Sequence, residues 1–369
     1  MKWNWQCSDW PGFSFDAAQL QMREDRFLME AGRAFGAATH FTGTDHLELT
    51  VELISTEAEK SSAIEGELLN RDSLQSSIRR NLGLKSDIGK IPPAEQGMAD
   101  MMLDLYHHFD QPLTHETLHH WHEKLMEGRR ELIDVGRYRT GKEPMQVISG
   151  YLHAPTVHFE APPSDTLPDE MNRFVDWFND TAPGSNHSLP ALTRAAITHL
   201  YFVSLHPYED GNGRIGRALS EKALSQAVGE PSLIALSQVI ERQKKEYYEQ
   251  LKRHNHTLQI DGWLSYFSET VAEAMAYTQE LIFFLIGKGR FYQRLHAQLN
   301  DRQKKVIARM FKAGIDGFQG GLSAENYIAL TRTSRATATR DLQQLVELGA
   351  LIRTGKLKGT RYRLNLEVI

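Results

Sequence analysis

The sequence predicts a mainly α-helical protein, with one short β-hairpin in its middle and a winged helix-turn-helix at its end. Three observations carry this. Apolar residues recur at helical spacing over most of the length; β-formers and turn residues concentrate between Tyr138 and Pro163; and after Lys288 the pattern restarts as shorter units closed by a basic, strand-like pair.

Taken in order, Phe15 to Leu84 has its apolar residues mostly one helical turn apart, as in Leu47, Val51, Ile54 and Ala58, then Ile64, Leu68 and Leu69. The stretch GLKSDIGKIPP, residues 83 to 93, gathers Gly, Ser and a Pro pair and reads as a linker. Helical pattern then recurs at 94–108, 114–126, 168–180, 190–205, 214–228, 239–255 and 260–286. Between the second and third of these, QVISG followed by TVHFEAPP reads as a hairpin projecting from the helical body. Beyond Lys288 the expected elements are a helix near 302–313, then LSAENYIALT, then SRATATRDLQQLVELG carrying Arg335 and Arg340, and a strand pair ending in TRYRLNL. That order is the winged helix-turn-helix pattern. RTGKLKGTRYR, residues 353 to 363, has five basic residues and no acid, as a wing tracking DNA phosphates needs; binding to a protein is the alternative.

With 41% hydrophobic and 24% charged residues over 369 positions, the chain has the balance of a soluble globular protein of two or three domains. The N-terminus lacks a signal pattern and no segment reaches the apolar length of a membrane helix, so no membrane partner is expected and the reading is cytoplasmic. A single cysteine, Cys7, excludes an intrachain disulfide and a cysteine metal cluster. The net charge of −5 confines any nucleic-acid surface to a local patch.

Chemistry concentrates in HPYEDGNGRIGR, residues 206 to 217. Pro207 stops the preceding apolar helix near His206 and leaves that imidazole at its end. Asp210 offers a hard oxygen ligand for Mg²⁺. Gly211, Asn212 and Gly213 tolerate positive φ, so their N–H groups can form an anion nest opening onto the next helix's N-terminus. Arg214 and Arg217, three apart, share one side of the first turn. An EF-hand reading fails, because Arg214 stands at the fifth loop position and Ile215 where Gly is required. A Walker phosphate loop fails as well, since no Lys-Ser or Lys-Thr follows the glycines.

HPYEDGNGRIGR resembles the signature of the Fic (filamentation induced by cAMP) family, HPFx(D/E)GNGRxxR, with Tyr208 in place of Phe. The resemblance extends from about Ala94 to Phe284, through GRYR at 136–139 and EYY at 246–248. It divides the chain into an N-terminal helical region (1–93), a Fic-type catalytic domain (94–287) and the winged helix-turn-helix (288–369). It implies an enzyme that transfers AMP from ATP to a protein Ser, Thr or Tyr hydroxyl, itself included, with Mg²⁺ as cofactor. By the same resemblance His206 is the general base, and Asp210 holds Mg²⁺. Gly211, Asn212, Gly213 and Arg214 bind phosphates, with Asn212 contributing its side chain, and Arg217 takes the γ-phosphate. Gln146, Val147, Ile148, Ser149 and Gly150 form a flap that docks the target, and Tyr247 and Tyr248 line the adenine pocket or pack in the core.

In the N-terminal region, KSSAIEGELL at 60–69 is a poor face for a buried helix. Ser61, Glu65 and Gly66 match the family's inhibitory motif, (S/T)xxxE(G/N), which implies that Glu65 pairs with Arg217 in the γ-phosphate's place. Ser61 is then expected to bond the GNG loop, and Gly66 to permit close backbone approach. Two alternatives stay open, a DNA-associated regulator built on such a core and an enzyme that removes AMP; a homodimer is also left open. Outside the motif, His115, His119 and His122 in HETLHHWHEKL have metal-compatible spacing but read as a solvated helix, and Trp3, Trp5 and Trp10 as a dock for the N-terminus.

Overall fold

The structure is a computed structural model that describes residues 2–38, 44–86, 89–151, 154–232, 234–315, 317, 318 and 320–366. It divides into two compact units, Met1–Thr278 and Gln279–Ile369.

The first unit is mainly helical. Its helices are α1 (Gln21–Ala38), α2 (Thr44–Ile64), α3 (Arg71–Asn81), α4 (Pro93–His107), α5 (His115–Leu125), α6 (Leu167–Asp180), α7 (Ala191–Leu205), α8 (Asn212–Val228), α9 (Leu236–Arg242), α10 (Lys244–His254) and the first part of α11 (Asp261–Leu295). A hairpin pairs β1 (Gln146–Tyr151) antiparallel with β2 (Ala154–Glu160), with an irregularity between Val147 and Ile148. α7 explains the organisation. ALTRAAITHLYFVSL is apolar on nearly every face, and 14 of its 15 residues are buried. A helix apolar all round belongs at the centre of a core, and α8, α6 and α1 pack on it. α2 lies against α9, α3, α4 and α8, which brings the N-terminal region into the same core as the HPYEDGNGRIGR segment.

Local chemistry sets many of the boundaries. Asn70 and Thr114 cap α3 and α5 by accepting from the N–H three residues on, and Pro93 opens α4 where its missing N–H costs nothing. The expected helix over 239–255 is two helices, α9 and α10, broken at Gln243. The last one overshoots its expected end at 286 and runs on to Leu295. The N-terminal tryptophans do anchor their segment. Trp3 stacks on His256 at 4.5 Å, the Trp5 indole donates to the Glu160 carbonyl at 2.7 Å, and Trp10 sets its edge against Tyr201 at 5.2 Å.

In the second unit α12 (Asp301–Lys312), α13 (Ala324–Thr331) and α14 (Arg335–Glu347) precede an antiparallel pair, β3 (Leu351–Thr354) and β4 (Arg361–Leu364). Asn300, Ser323 and Ser334 cap the three helices. The core contains Val306, Ile307, Tyr327, Leu342 and Leu345, and buried Asp341 ties α12 to α13 by accepting from Arg302 at 2.8 Å and Tyr327 at 2.9 Å. Among the described residues no helix is long and apolar enough to cross a membrane.

Candidate active site

The site is built where α7 ends and α8 begins. α7 terminates with His206 in the left-handed region, φ 47°, an unusual conformation for a residue with a side chain. Arg139, the last residue of GRYR, braces that turn. Its N–H donates to the Pro207 carbonyl at 2.9 Å, its Nε to the His206 carbonyl at 2.9 Å, and its Nη2 to the Pro162 carbonyl. The His206 ring lies beside the Val203 carbonyl, and in its neutral form one ring nitrogen is an acceptor. His206 is half-buried in the wall of a groove; desolvation, followed by the nearby Arg139 charge, lowers its pKa to about 4. It is therefore neutral at pH 7.

Tyr208 is fully buried and lies flat on His122, with ring centroids 4.0 Å apart and planes within 9°. This corrects the solvated reading of α5. His122 is buried and accepts from the Gly136 N–H at 3.0 Å, His115 bonds the Tyr138 hydroxyl at 2.7 Å, and His119 lies 3.3 Å from the Tyr208 hydroxyl. These histidines are packing and bonding partners of the motif. Among the described residues no three His, Cys, Asp or Glu side chains are grouped as a metal site.

Only Gly211 of the three loop residues has positive φ, 84°, while Asn212 and Gly213 already belong to α8. The Asn212 amide is consumed locally: it accepts from the Tyr208 N–H at 3.0 Å and donates to the Tyr208 carbonyl at 2.8 Å, so its side chain closes the loop instead of reaching for a phosphate. What remains is the N-terminus of α8, a 17-residue helix whose free N–H groups and dipole attract an anion.

A carboxylate sits there. A Cβ added at Gly213 would lie 2.0 Å from Glu65 Oε1, so the absence of a side chain at 213 is what lets Glu65 approach. Glu65 Oε1 also meets Arg217 Nη2 at 2.8 Å, and the Arg217 side chain is only 1% exposed. Burial disfavours the Arg217 charge, but Glu65, with Tyr247 next, more than offsets this and raises its pKa. Ser61 assists, though not by the expected route: its hydroxyl accepts from Arg217 Nε at 2.9 Å and its carbonyl from Nη2 at 2.8 Å, leaving the GNG loop alone.

The role of Gly66 also differs from expectation. A Cβ there would touch nothing within 4 Å, so close approach is not the constraint; its φ of 86° is. The Gly66 N–H bonds the Ala63 carbonyl at 3.1 Å and the Glu67 N–H bonds the Ser62 carbonyl at 3.0 Å. This is a Schellman motif ending α2, with Gly66 as its left-handed residue. The cap places two acids at the end of the helix. Glu67 pairs with Arg214 Nη1, a contact the sequence reading missed. Arg214 Nη2 reaches Asp210 Oδ1 at 3.3 Å, and the other Asp210 oxygen meets Arg129 Nη2 at 3.0 Å. The three charged groups expected to hold Mg²⁺ and phosphates are all paired within the protein.

The groove beside His206 has a volume of about 670 Å³ and is lined by Glu65, Val147, Ile148, Gly213, Tyr248 and Lys252 among others. Val147 and Ile148, half-exposed on β1, face this space, and Ser149 and Gly150 extend the same strand opposite Thr156 and Pro155. Tyr247 is buried, with its hydroxyl 2.8 Å from His199 Nε2, whereas Tyr248 is part-exposed and its hydroxyl donates to Glu65 Oε2 at 3.4 Å.

Comparison with known proteins agrees with this geometry. Residues 112–224 match the Fic/DOC family, and residues 3–84 match a domain of unknown function (DUF4172). The chain is 32% identical over 129 residues to a protein named protein adenylyltransferase Fic from Nematostella vectensis, covering 35% of this chain and 26% of that protein. It is 28% identical over 124 residues to protein adenylyltransferase fic-1 from Caenorhabditis elegans, covering 34% and 21%. It thus spans about a quarter of the length of these curated relatives. In fold it resembles a Fic family protein from Desulfovibrio desulfuricans, with a TM-score of 0.52 at 22% identity over 96% of this chain and 98% of that one. It also resembles Fic-1 from C. elegans, with a TM-score of 0.50 at 22% identity over 74% of each chain. The signature at 206–217 lies within the segment that matches the Fic/DOC family, and the helical fold is similar to that of the Fic structures.

Proposed function

We propose that this protein is a protein adenylyltransferase whose resting state is held by Glu65. The observation that carries the reading is a carboxylate seated on the α8 N-terminus and on buried Arg217, beside a neutral histidine in a groove of nucleotide size. A site that holds a carboxylate with helix N–H groups and a guanidinium has the complementarity a phosphate needs. In the proposed reaction the hydroxyl oxygen of a target Ser, Thr or Tyr attacks the α-phosphorus of ATP. The new P–O bond forms as the bond to pyrophosphate breaks, and His206 accepts the hydroxyl proton on its free nitrogen. Arg214 and the first N–H groups of α8 stabilise charge on the phosphates, and Arg217 takes the γ-phosphate once Glu65 leaves. Asp210 suits Mg²⁺, which binds through one or two carboxylates and the nucleotide's own oxygens and would neutralise phosphate charge. The flap, Gln146 to Gly150, would hold the target segment along its open strand edge, and Tyr248 would flank the adenine. Labelled ATP incubated with the full-length protein and a cell lysate tests this: His206→Ala should bind ATP yet transfer no label, and labelling equal to wild type would remove His206 from the mechanism.

A second reading concerns residues 279–369 as a winged helix-turn-helix on duplex DNA. These residues hold 16 Lys and Arg against 7 Asp and Glu, a net of +9 in a chain whose total is −5, which leaves −14 on residues 1–278. Arg335 and Arg340 are exposed on α14, and Arg353, Lys356 and Arg363 on the β3–β4 hairpin. A helix presented with a basic hairpin is the arrangement that reads a major groove while tracking phosphates.

A further inference from the structure

The contact between Glu67 and Arg214 extends the brake beyond Glu65, and it rests on reading this site as a nucleotide site. The Arg214 side chain is 3% exposed, with one guanidinium nitrogen on Glu67, another 3.3 Å from Asp210, and its Nε without a partner among the described residues. A cation this buried with a donor to spare is built to receive more acceptor oxygens than the protein supplies. Glu67, by contrast, is 31% exposed and enters from the rim. It gains little from its own helix, because an acid at a helix C-terminus opposes the dipole. Its position is nevertheless fixed, since its N–H closes the Schellman cap on the Ser62 carbonyl.

The two acids meet different parts of the site. Glu65 faces Gly213 and Arg217, while Glu67 faces Arg214, next to the alternating series Asp210, Arg129 and Glu131. We propose that Glu67 is a second gate that governs nucleotide entry, competing with the α- and β-phosphates for Arg214, whereas Glu65 governs only how a γ-phosphate is seated. Any nucleotide diphosphate must displace Glu67 to reach Arg214. Only a triphosphate also contends with Glu65 for Arg217, so ADP, read in the Glu67 variants against wild type, reports on the contact with Arg214.

Calorimetric titration of the full chain with ADP, ATP and adenosine, each with Mg²⁺ present, separates the possibilities. Glu67→Gln keeps the side-chain shape and removes the charge. It should bind ADP and ATP each about tenfold more tightly than wild type, while adenosine, which has no phosphate, changes by less than about twofold. Glu67→Ala must shift ADP in the same direction, which guards against an effect peculiar to the amide. Equal ADP affinity in wild type and Glu67→Gln, with ADP bound by both, overturns the gate and leaves the adenylyltransferase reading standing. No binding of ADP or ATP to either protein at millimolar concentration overturns that reading, and the gate falls with it.

Discussion

Replacing Glu65 with Gly should make the enzyme faster and its unliganded form less stable at the same time. The variant removes the carboxylate from Arg217, a side chain 1% exposed, and leaves Ser61 as its partner through two bonds of 2.9 and 2.8 Å. A hydrogen bond to a charged group contributes about 1.5–3 kcal/mol. In the proposed mechanism ATP has to break this one before its γ-phosphate reaches Arg217. At about 1.4 kcal/mol per factor of ten, release corresponds to a gain of about 10- to 150-fold in labelling rate at saturating ATP. Because Arg217 keeps its charge in the interior, the midpoint of thermal unfolding without nucleotide should drop by a few degrees and recover when Mg²⁺ and ATP are added. The assay pairs labelled-ATP transfer, both to the protein itself and to a lysate, with thermal unfolding measured with and without nucleotide. A lower midpoint with equal or lower labelling would refute the reasoning, since Arg217 would have lost its partner without any activity being released. The gain must also vanish when His206→Ala is added.

Two further outcomes follow from the same geometry. Burial lowers the His206 pKa from 6.5 to about 4, so the base stays unprotonated across the neutral range, and labelling by Glu65→Gly should hold its rate as pH falls from 7 to about 5.5. A loss with a midpoint near the ordinary histidine value would refute the lowered pKa of His206. For the second unit, anisotropy of a labelled 30-base-pair duplex (roughly three helical turns) should report binding by the full chain that weakens steeply between 50 and 200 mM salt. Arg340→Glu with Arg353→Glu should abolish it; no binding at 50 mM, or binding unchanged in the double variant, rejects a DNA role.

Much of the site could be read from the chain because its chemistry is local. His206 to Arg217 lie within one helix end, one turn and one helix start, so their order alone predicted a base and a phosphate cradle next to each other. Pro207 and Gly211 are the punctuation that made the turn visible. What the sequence hid was non-local or already spoken for. The stacking of Tyr208 on His122 joins residues 86 positions apart in the chain, and no periodicity on α5 announces it. The Asn212 amide looked free for a ligand because nothing in the sequence shows that the Tyr208 backbone needs both its donor and its acceptor. Glu67 escaped because the inhibitory pattern ends at Gly66, yet a signal was present: a glycine closing an apolar helical run marks a left-handed cap, and in this chain the acids on its two sides both reach arginines of α8. The break at Gln243 carries no Gly or Pro, so the 239–255 pattern read as one helix.

The cap at Gly66 has a kinetic meaning as well. Glu65 and Glu67 are ligands of α8 that never diffuse away, held by two backbone bonds at the end of a 21-residue helix that packs on four neighbours. A tethered ligand competes at its effective concentration, which for short or rigid links reaches the millimolar range and above. If these carboxylates act as the proposed brake, raising the nucleotide supply opposes it only in proportion. Loosening the final turn of α2 lowers the local concentration of both carboxylates together, so a single small loss of order there would act on the site as a large change in inhibitor concentration.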